Sequence, residues 1–241
     1  MSIGQANCAV CGGKIVYFQE AQTATCDLCG KEDMAHCICE HGHYVCDACH
    51  RSNGVEACIN YCLASSSKNP IERGEAIMDD RSIYPNGPEH HTLVGAALLT
   101  AYHNAGGAID LEKSLAELKT RSLCVPGGTC GFWGTCGAAV SAGQMWSIAS
   151  KSSPMTSQPW GQCQKLTSNV LASLATYGGP RCCKRTGFLA IKDTVAFAKE
   201  TTGVEMELPE HISCHYFAHN DECLRTRCPF FPEGATHPLD A

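Results

Sequence analysis

The stretch at residues 124–143 reads CVPGGTCGFWGTCGAAVSAG and passes from a cysteine- and glycine-rich loop directly into an apolar helix. Two of its three cysteines lie in a short duplication, Thr-Cys-Gly at 129–131 and again at 135–137. Glycine lets backbone amides approach a bound group, and thiolates beside exposed N–H groups suit a metal–sulfur centre, an oxyanion or a phosphate. We therefore predict that Cys124, Cys130 and Cys136 bind a cofactor.

A second cysteine-rich motif, GGPRCCKR, occupies residues 178–185. Proline favours the first position of a helix, which would place the thiols of Cys182 and Cys183 in the first turn beside three cationic side chains. Such surroundings lower a thiol pKa and make a reactive thiolate. The motif predicts catalytic roles for Cys182, Cys183 and Arg181, with Arg181 holding an anionic substrate. His91, at the start of another predicted helix, is the candidate general base, and a solvated first turn is the alternative.

The C-terminal segment adds three more candidate ligands. Cys228 is followed by proline, a pairing that recurs at iron–sulfur clusters. We predict that residues 124–137 and 181–185 line one pocket, closed by cysteines of this segment. The alternative for every cysteine of this half is a small buried apolar residue, which Cys163 fits well. The added candidates for cofactor binding are Cys214, Cys223 and Cys228.

The first 62 residues contain ten of the nineteen cysteines and little that would form an apolar core, so metal must supply the folding energy. Two Cys-x2-Cys pairs, at 8/11 and 26/29, flank strand-like sequence and predict a zinc ribbon. A second zinc would take Cys46, Cys49 and two of four further candidates at 37, 39, 41 and 43. Sequential and crossed pairing both remain open. The predicted metal ligands are Cys8, Cys11, Cys26, Cys29, Cys37, Cys39, His43, Cys46 and Cys49.

The predicted fold class is α+β, a small N-terminal zinc-ribbon-like module followed by a mainly α-helical domain. We place the module at residues 1–64, a linker with a short helix at 65–84 and the helical domain at 85–241. Apolar residues at helical spacing and capping signals predict helices from residue 47 and over 71–80, 89–104, 110–119, 138–151, 163–177 and 181–202.

Composition restricts the function classes. The N-terminal residues lack the basic and apolar regions of a secretory signal, and no apolar run approaches a membrane span, so a cytoplasmic protein without a membrane is expected. Thiols stay reduced there, which favours metal ligands over disulfides. The net charge is −6, and residues 1–62 hold three basic against seven acidic side chains, which argues against nucleic acid as a partner. The expected partner is a small-molecule substrate or another metalloenzyme; the sequence predicts no oligomeric state.

The motifs PGGxCGFWGxCGA, GGPRCCKR, CPFF and GHYVCDxCH resemble those of an uncharacterised cysteine-rich domain family of anaerobic bacteria and archaea. The resemblance spans nearly the whole chain. It implies an anaerobic cytoplasm, where exposed iron–sulfur chemistry is viable, and brings no established activity. A weaker similarity is to iron–sulfur lyases of the serine dehydratase and cysteine desulfidase type, from which the cysteine spacing here differs.

Three functional hypotheses follow from these residues. The first is a metalloprotein with two structural zinc ions and a [4Fe–4S] or reactive-thiolate centre, acting as a lyase or sulfur-transfer enzyme on a small anionic or sulfur-containing substrate. The second is a non-catalytic zinc-ribbon adaptor. The third is a metal or sulfur carrier for the assembly of another metalloenzyme.

Overall fold

The computed structural model describes residues 8–80 and 82–240. It begins with an antiparallel hairpin of β1, Ile15–Thr25, and β2, Glu32–Cys39. The register pairs Ile15 with Cys39 and Thr25 with Glu32, with an irregularity between Tyr17 and Gln22. The open end of the hairpin therefore brings Cys39 close to the segment before β1, which carries Cys8 and Cys11.

Eight helices follow along the described chain. Three short 3-10 turns close it, at Phe217–His219, Arg225–Arg227 and Pro238–Asp240. No described helix has the length and apolar character needed to cross a membrane. The helices are α1 Asp47–Leu63, α2 Pro70–Met78, α3 His90–Asn104, α4 Leu111–Ser122, α5 Thr129–Phe132, α6 Gly137–Ala149, α7 Gln158–Tyr177 and α8 Cys183–Thr202.

Helix α3 lies at the centre of the helical part, with α1, α2, α4, α6 and α8 packed against it. Each of its residues from 90 to 102 is buried, which explains a sequence that is apolar nearly all round. Gly95 allows a close crossing with α6. Its N–H donates to Ser141 Oγ at 2.8 Å, and a Cβ there would lie 2.8 Å from Leu118.

Helix α1 begins within the N-terminal cysteine-rich segment, and its second half packs in the core of the helical part. Val55, Cys58 and Cys62 are almost wholly buried, and the two cysteines pack within the core cluster. The sequence alone does not decide whether Cys58 and Cys62 pack in the core or bind a metal. The structure makes both of them core residues.

The predicted fold class is confirmed, while two helix starts differ from the prediction. Helix α7 begins at Gln158, five residues earlier than predicted, because proline is tolerated in its first turn. Helix α8 begins at Cys183 and not near Pro180; Cys182 is its N-cap and accepts the N–H of Arg185. The domain boundaries at 64 and 84 stay predictions.

Candidate metal centres

The first centre is formed by Cys8, Cys11, Cys39 and His43, whose ligand atoms all lie within 4.8 Å of one another. Sγ of Cys11 is 3.5 Å from Sγ of Cys39 and 3.2 Å from Nδ1 of His43. In a tetrahedral site with metal–sulfur bonds near 2.3 Å, two sulfur ligands stand about 3.8 Å apart. The four side chains therefore fit one closed metal site.

The second centre is formed by Cys26, Cys29, Cys46 and Cys49, again with all ligand atoms within 4.8 Å. Sγ of Cys29 lies 3.7 Å from Sγ of Cys46. Burial opposes ionisation of Cys26, but backbone N–H groups that point at its sulfur lower its pKa to about 6. Cys26 is thus favoured as a thiolate, the form that binds metal. Burial raises the pKa of Cys46, and hydrogen bonding with the neighbouring sulfurs of Cys29 and Cys46 raises the pKa of Cys49.

The two centres use the ligand pairs in a crossed order, one of the two arrangements that the sequence leaves open, and the zinc ribbon that would join 8/11 to 26/29 is not formed. Strand β1 separates these two pairs, and eleven extended residues span roughly 30 Å or more. Two knuckles at opposite ends of one hairpin cannot share an ion. Strand β2 runs back along β1 and brings Cys39 to the Cys8–Cys11 pair. The N–H of Asp27 donates to Tyr44 O at 2.8 Å, a contact that holds the Cys46–Cys49 pair near the Cys26–Cys29 pair.

Two predicted or candidate ligands stand outside these groups. Cys37 belongs to neither; it pairs across the hairpin with Tyr17, and burial raises its pKa although Arg181 opposes the shift. His41 Nδ1 lies 3.5 Å from Cys11 Sγ, beside the first centre without joining the group of four. The position of a cysteine or histidine in the tertiary structure, and not its residue type, therefore decides whether it belongs to a group of potential ligands.

The N-terminal segment that carries both centres contacts residues 123–136, which we call the Gly-rich loop. Asp47, which lies between Cys46 and Cys49 of the second centre, accepts the N–H of Gly127. Arg51 donates to the carbonyls of Val125, at 2.9 Å, and of Leu123. The ring of His36 stacks on Phe132 at 4.1 Å. A metal ion bound at the second centre would therefore affect the conformation of this loop through contacts with the loop's backbone. Helix α3 contacts the same loop, since His91 Nδ1 lies 3.2 Å from Val125 O.

A different set of cysteines meets in the helical part. Cys182, Cys214, Cys223 and Cys228 line one pocket between the start of α8 and the C-terminal turns, which we call the four-cysteine pocket. No three of them within the described chain come within 4.8 Å of one another, unlike the N-terminal ligands. The spacing is therefore wider than a single metal ion requires.

Backbone amides point at the sulfur atoms of this pocket. Arg185 N–H lies 3.4 Å from Cys182 Sγ, and Arg225 N–H lies 3.3 Å from Cys223 Sγ. The N-terminal ligands show the same pattern. By contrast, Cys124 donates its S–H to Thr120 O at 3.6 Å. Backbone N–H groups of Tyr216 and Phe230 lower the pKa of Cys214 and Cys228 against the effect of burial. Among the N-terminal ligands, amide-to-sulfur bonds include those from Val10 to Cys8, Gly13 to Cys11, His41 to Cys39 and Cys46 to Cys26.

Two buried cations complete the lining of the pocket. Lys184 lies over the ring of Tyr216 at 4.8 Å and donates to His90 Nε2 at 3.1 Å. Burial lowers its pKa to about 8. Arg185 donates to the carbonyls of Gly178 and Pro180 at 2.9 and 2.8 Å. The polar surroundings fix both side chains beside the thiols, where their charge offsets that of an anionic centre.

The prediction of lowered thiol pKa values in GGPRCC is wrong. Burial raises the pKa of Cys182, although amides and the Arg185 charge oppose it. Burial, and then the charges of Cys136 and Cys182, raise the pKa of Cys183 further. Desolvation outweighs the helix dipole and the cations, so both thiols are protonated at neutral pH when no metal is bound.

The remaining predicted site residues are divided among different places. Cys124 and Cys130 are exposed and do not line the four-cysteine pocket. Cys136 does not line that pocket either, although its charge raises the pKa of Cys183. Arg181 turns toward the hairpin, over the ring of Tyr17 at 4.7 Å and 3.6 Å from Glu222. His91 is buried against Gly137, and burial lowers its pKa.

Sequence reasoning missed Glu89, which is fully buried. Its Oε1 accepts the N–H of Tyr84 at 3.0 Å and lies 3.4 Å from His90 Nδ1, while its Oε2 is 3.9 Å from His50 Nδ1. Burial opposes its ionisation, but His90 and His50 hold its pKa below the usual value. The available signal was a carboxylate followed by two histidines at the start of an otherwise apolar helix.

Comparison with known proteins places the chain within one family. No curated protein and no solved structure matches it. A family model covers residues 58–231, a range that includes the Gly-rich loop and the four-cysteine pocket and begins after both N-terminal metal centres. That match spans well over half of the sequence, and the chain therefore belongs to the family of unknown function DUF5714.

Proposed function

We propose that this protein is a zinc-stabilised iron–sulfur protein, with zinc in both N-terminal centres and a [4Fe–4S] cluster in the four-cysteine pocket. Closed sets of four protein ligands, either all cysteine or three cysteines with one histidine, are typical of structural zinc. Their supporting role follows from position, since Asp47 and Arg51 next to the second centre hold the Gly-rich loop. The reducing cytoplasm is the proposed location, because all nineteen cysteines are free.

The convergence of four thiols on one pocket carries the proposal for the cluster. Irons and inorganic sulfides stand between the thiolates of a cluster, so its ligands lie farther apart than those of one ion. The amides aimed at the sulfurs, and the buried Lys184 and Arg185, supply the hydrogen bonds and positive charge that such an anionic group needs. The residues present therefore fit a [4Fe–4S] group.

The ligand set also bears on the type of reaction. Four protein thiolates leave no open iron, whereas a lyase that uses iron as a Lewis acid needs one. Elimination, one of the predicted reaction types, therefore has less support than electron transfer or redox chemistry on a sulfur-containing substrate. The cluster, when bound, would supply single electrons; the four cysteines would hold it, and the buried Lys184 and Arg185 would offset its negative charge.

Anaerobic reconstitution with iron and sulfide tests the cluster. We expect about four irons per chain and a broad absorption band near roughly 400 nm. Serine at Cys182 or Cys223 is expected to abolish most of both signals, because one ligand in four is lost. The matched controls are serine at Cys124, an exposed thiol, and at Cys163, a buried one. Full iron content in the Cys182 and Cys223 variants, with loss in a Cys130 or Cys136 variant, would refute the assignment.

A further inference from the structure

A second cavity lies between α6 and α7, and its walls are completed by the loop that joins these helices and by the last turn of α4. Its volume is about 510 Å³, within the roughly 300–1,000 Å³ that small-molecule sites have. It shares no lining residue with the four-cysteine pocket. A ligand of this cavity is therefore independent of the proposed cluster.

The walls of the cavity are fixed by the fold itself. Gly143 lets α6 approach α7 closely, since a Cβ there would clash with the hydroxyl of Thr167. The loop after α6 is held by its own hydrogen bonds: Ser152 N–H donates to Ser147 O at 2.8 Å, and Ser153 N–H donates to Thr156 Oγ1 at 3.1 Å. The cavity is therefore formed before any ligand binds, which lowers the entropic cost of binding.

One polar atom in the lining has no partner. Oε1 of Gln144 is buried, and no group of the described residues bonds to it. A buried acceptor without a hydrogen bond is costly and calls for an explanation. The Ser147 hydroxyl, one turn further along α6, accepts from Arg121 Nη1 at 2.9 Å and keeps its own proton to donate. A ligand with an N–H donor beside an acceptor would pair with both groups.

An aromatic side chain forms another part of the lining. Trp160 lies in the first turn of α7, and its ring is half-exposed although it borders a concave surface. A planar group stacked on this ring would cover apolar area that water otherwise contacts. Gln144 and Gln164 add two amide side chains, the groups that pair with the donor and acceptor edge of a nucleobase. The lining therefore suits a planar heteroaromatic ligand.

The charges of the lining favour a neutral ligand. Arg121 is its one cation, and Arg121 Nε already donates to Glu117 Oε1 at 2.7 Å, so its charge is balanced. No acidic side chain from residues 8–80 or 82–240 lines the cavity. Neither a phosphate nor an ammonium group would find an unpaired opposite charge there.

We propose that this cavity binds a neutral nucleobase or nucleoside that carries an amino group. The heteroaromatic ring stacks on Trp160, and the amino group donates to Gln144 Oε1. Adenosine combines these features and is the probe for the test.

Isothermal titration of the full, zinc-loaded chain under reducing conditions measures the binding. We expect a Kd for adenosine of about 100 µM or lower. Purine riboside, which lacks the amino group, should bind at least tenfold more weakly, because it leaves Gln144 Oε1 unpaired. AMP should bind no more tightly than adenosine, because Arg121 is already paired. Ribose alone should not bind.

Variants test the two contacts separately. Gln144→Met, which keeps the side-chain volume, and Trp160→Ala, at a half-exposed position, should each weaken adenosine binding at least tenfold. Met155→Ala is the matched control, because Met155 is exposed on the same loop and does not line the cavity. It should leave the affinity unchanged, as should Cys182→Ser, which removes only a proposed cluster ligand.

Three results would overturn the inference. The first is no binding of adenosine, guanosine or cytidine at concentrations up to about 1 mM. The second is equal affinity for adenosine and purine riboside, or tighter binding of AMP. The third is unchanged adenosine affinity in the Gln144 and Trp160 variants. Each of these results leaves the proposed cluster standing, since iron content and the visible band report it separately.

Discussion

Replacing Cys26 with serine is expected to release about one of two zinc ions per chain and to unfold the hairpin of β1 and β2. A structural zinc site contributes on the order of 10 kcal/mol to folding, and this hairpin has no apolar core to replace it. Helix α1 should persist, because Cys58 and Cys62 are packed in the main core. Zinc analysis together with limited proteolysis measures both effects.

Cys37 is the matched control, because it lies on the same hairpin outside both ligand groups. Serine there should leave both zinc ions and the protease resistance unchanged. Double variants test the crossed order. Serine at Cys8 and Cys39 should release one zinc, and serine at Cys8 and Cys26 should release two. A single zinc lost from the second variant would restore the ribbon pairing.

Replacing Gly137 with alanine is expected to lower the free energy of unfolding by about 2–3 kcal/mol. A Cβ at this position would lie 2.0 Å from His91 Cδ2, so the buried ring must move. Its movement breaks the 3.2 Å hydrogen bond to Val125 O and releases one anchor of the Gly-rich loop. Urea unfolding of the zinc-loaded protein under reducing conditions measures the loss.

Gly131, in the same loop region, provides the control for this substitution. Nothing lies within 4 Å of a Cβ built there, so alanine should be neutral or slightly stabilising, since it favours a helix more than glycine does. Equal stability of the two alanine variants would show that the ring of His91 yields without cost. It would also remove the packing reason for glycine at the start of α6.

Features that depend on neighbours in the chain could be predicted from the sequence. The Cys-x2-Cys pairs are local chelates, and all four cysteines at 8, 11, 26 and 29 are members of the two ligand groups. The capping signal at Asp110 is local as well, and its side chain accepts the N–H of Lys113 at 3.1 Å. The apolar pattern of residues 89–104 likewise predicted α3, the helix that the others surround.

Features that depend on distant groups were decided by the tertiary structure alone. The crossed order of the metal ligands follows from the length of a hairpin, which no Cys-x2-Cys spacing records. The pKa values of Cys182 and Cys183 are raised because other elements bury them, while the local sequence shows only the cations and helix start that would lower them.

The sequence by itself determined that this protein carries cysteine-rich sets of potential metal ligands, a small sheet and a helical domain, because ligand chemistry and helical periodicity are local properties. Only the tertiary structure decided which of its thiols lie together in one site. Cys182 and Cys183 differ by one position, but the first precedes α8 as its N-cap and the second begins the helix, so their side chains leave in different directions. One therefore lines a pocket with the C-terminal cysteines, and the other lies against the loop before α3, where its N–H donates to Asn86 Oδ1.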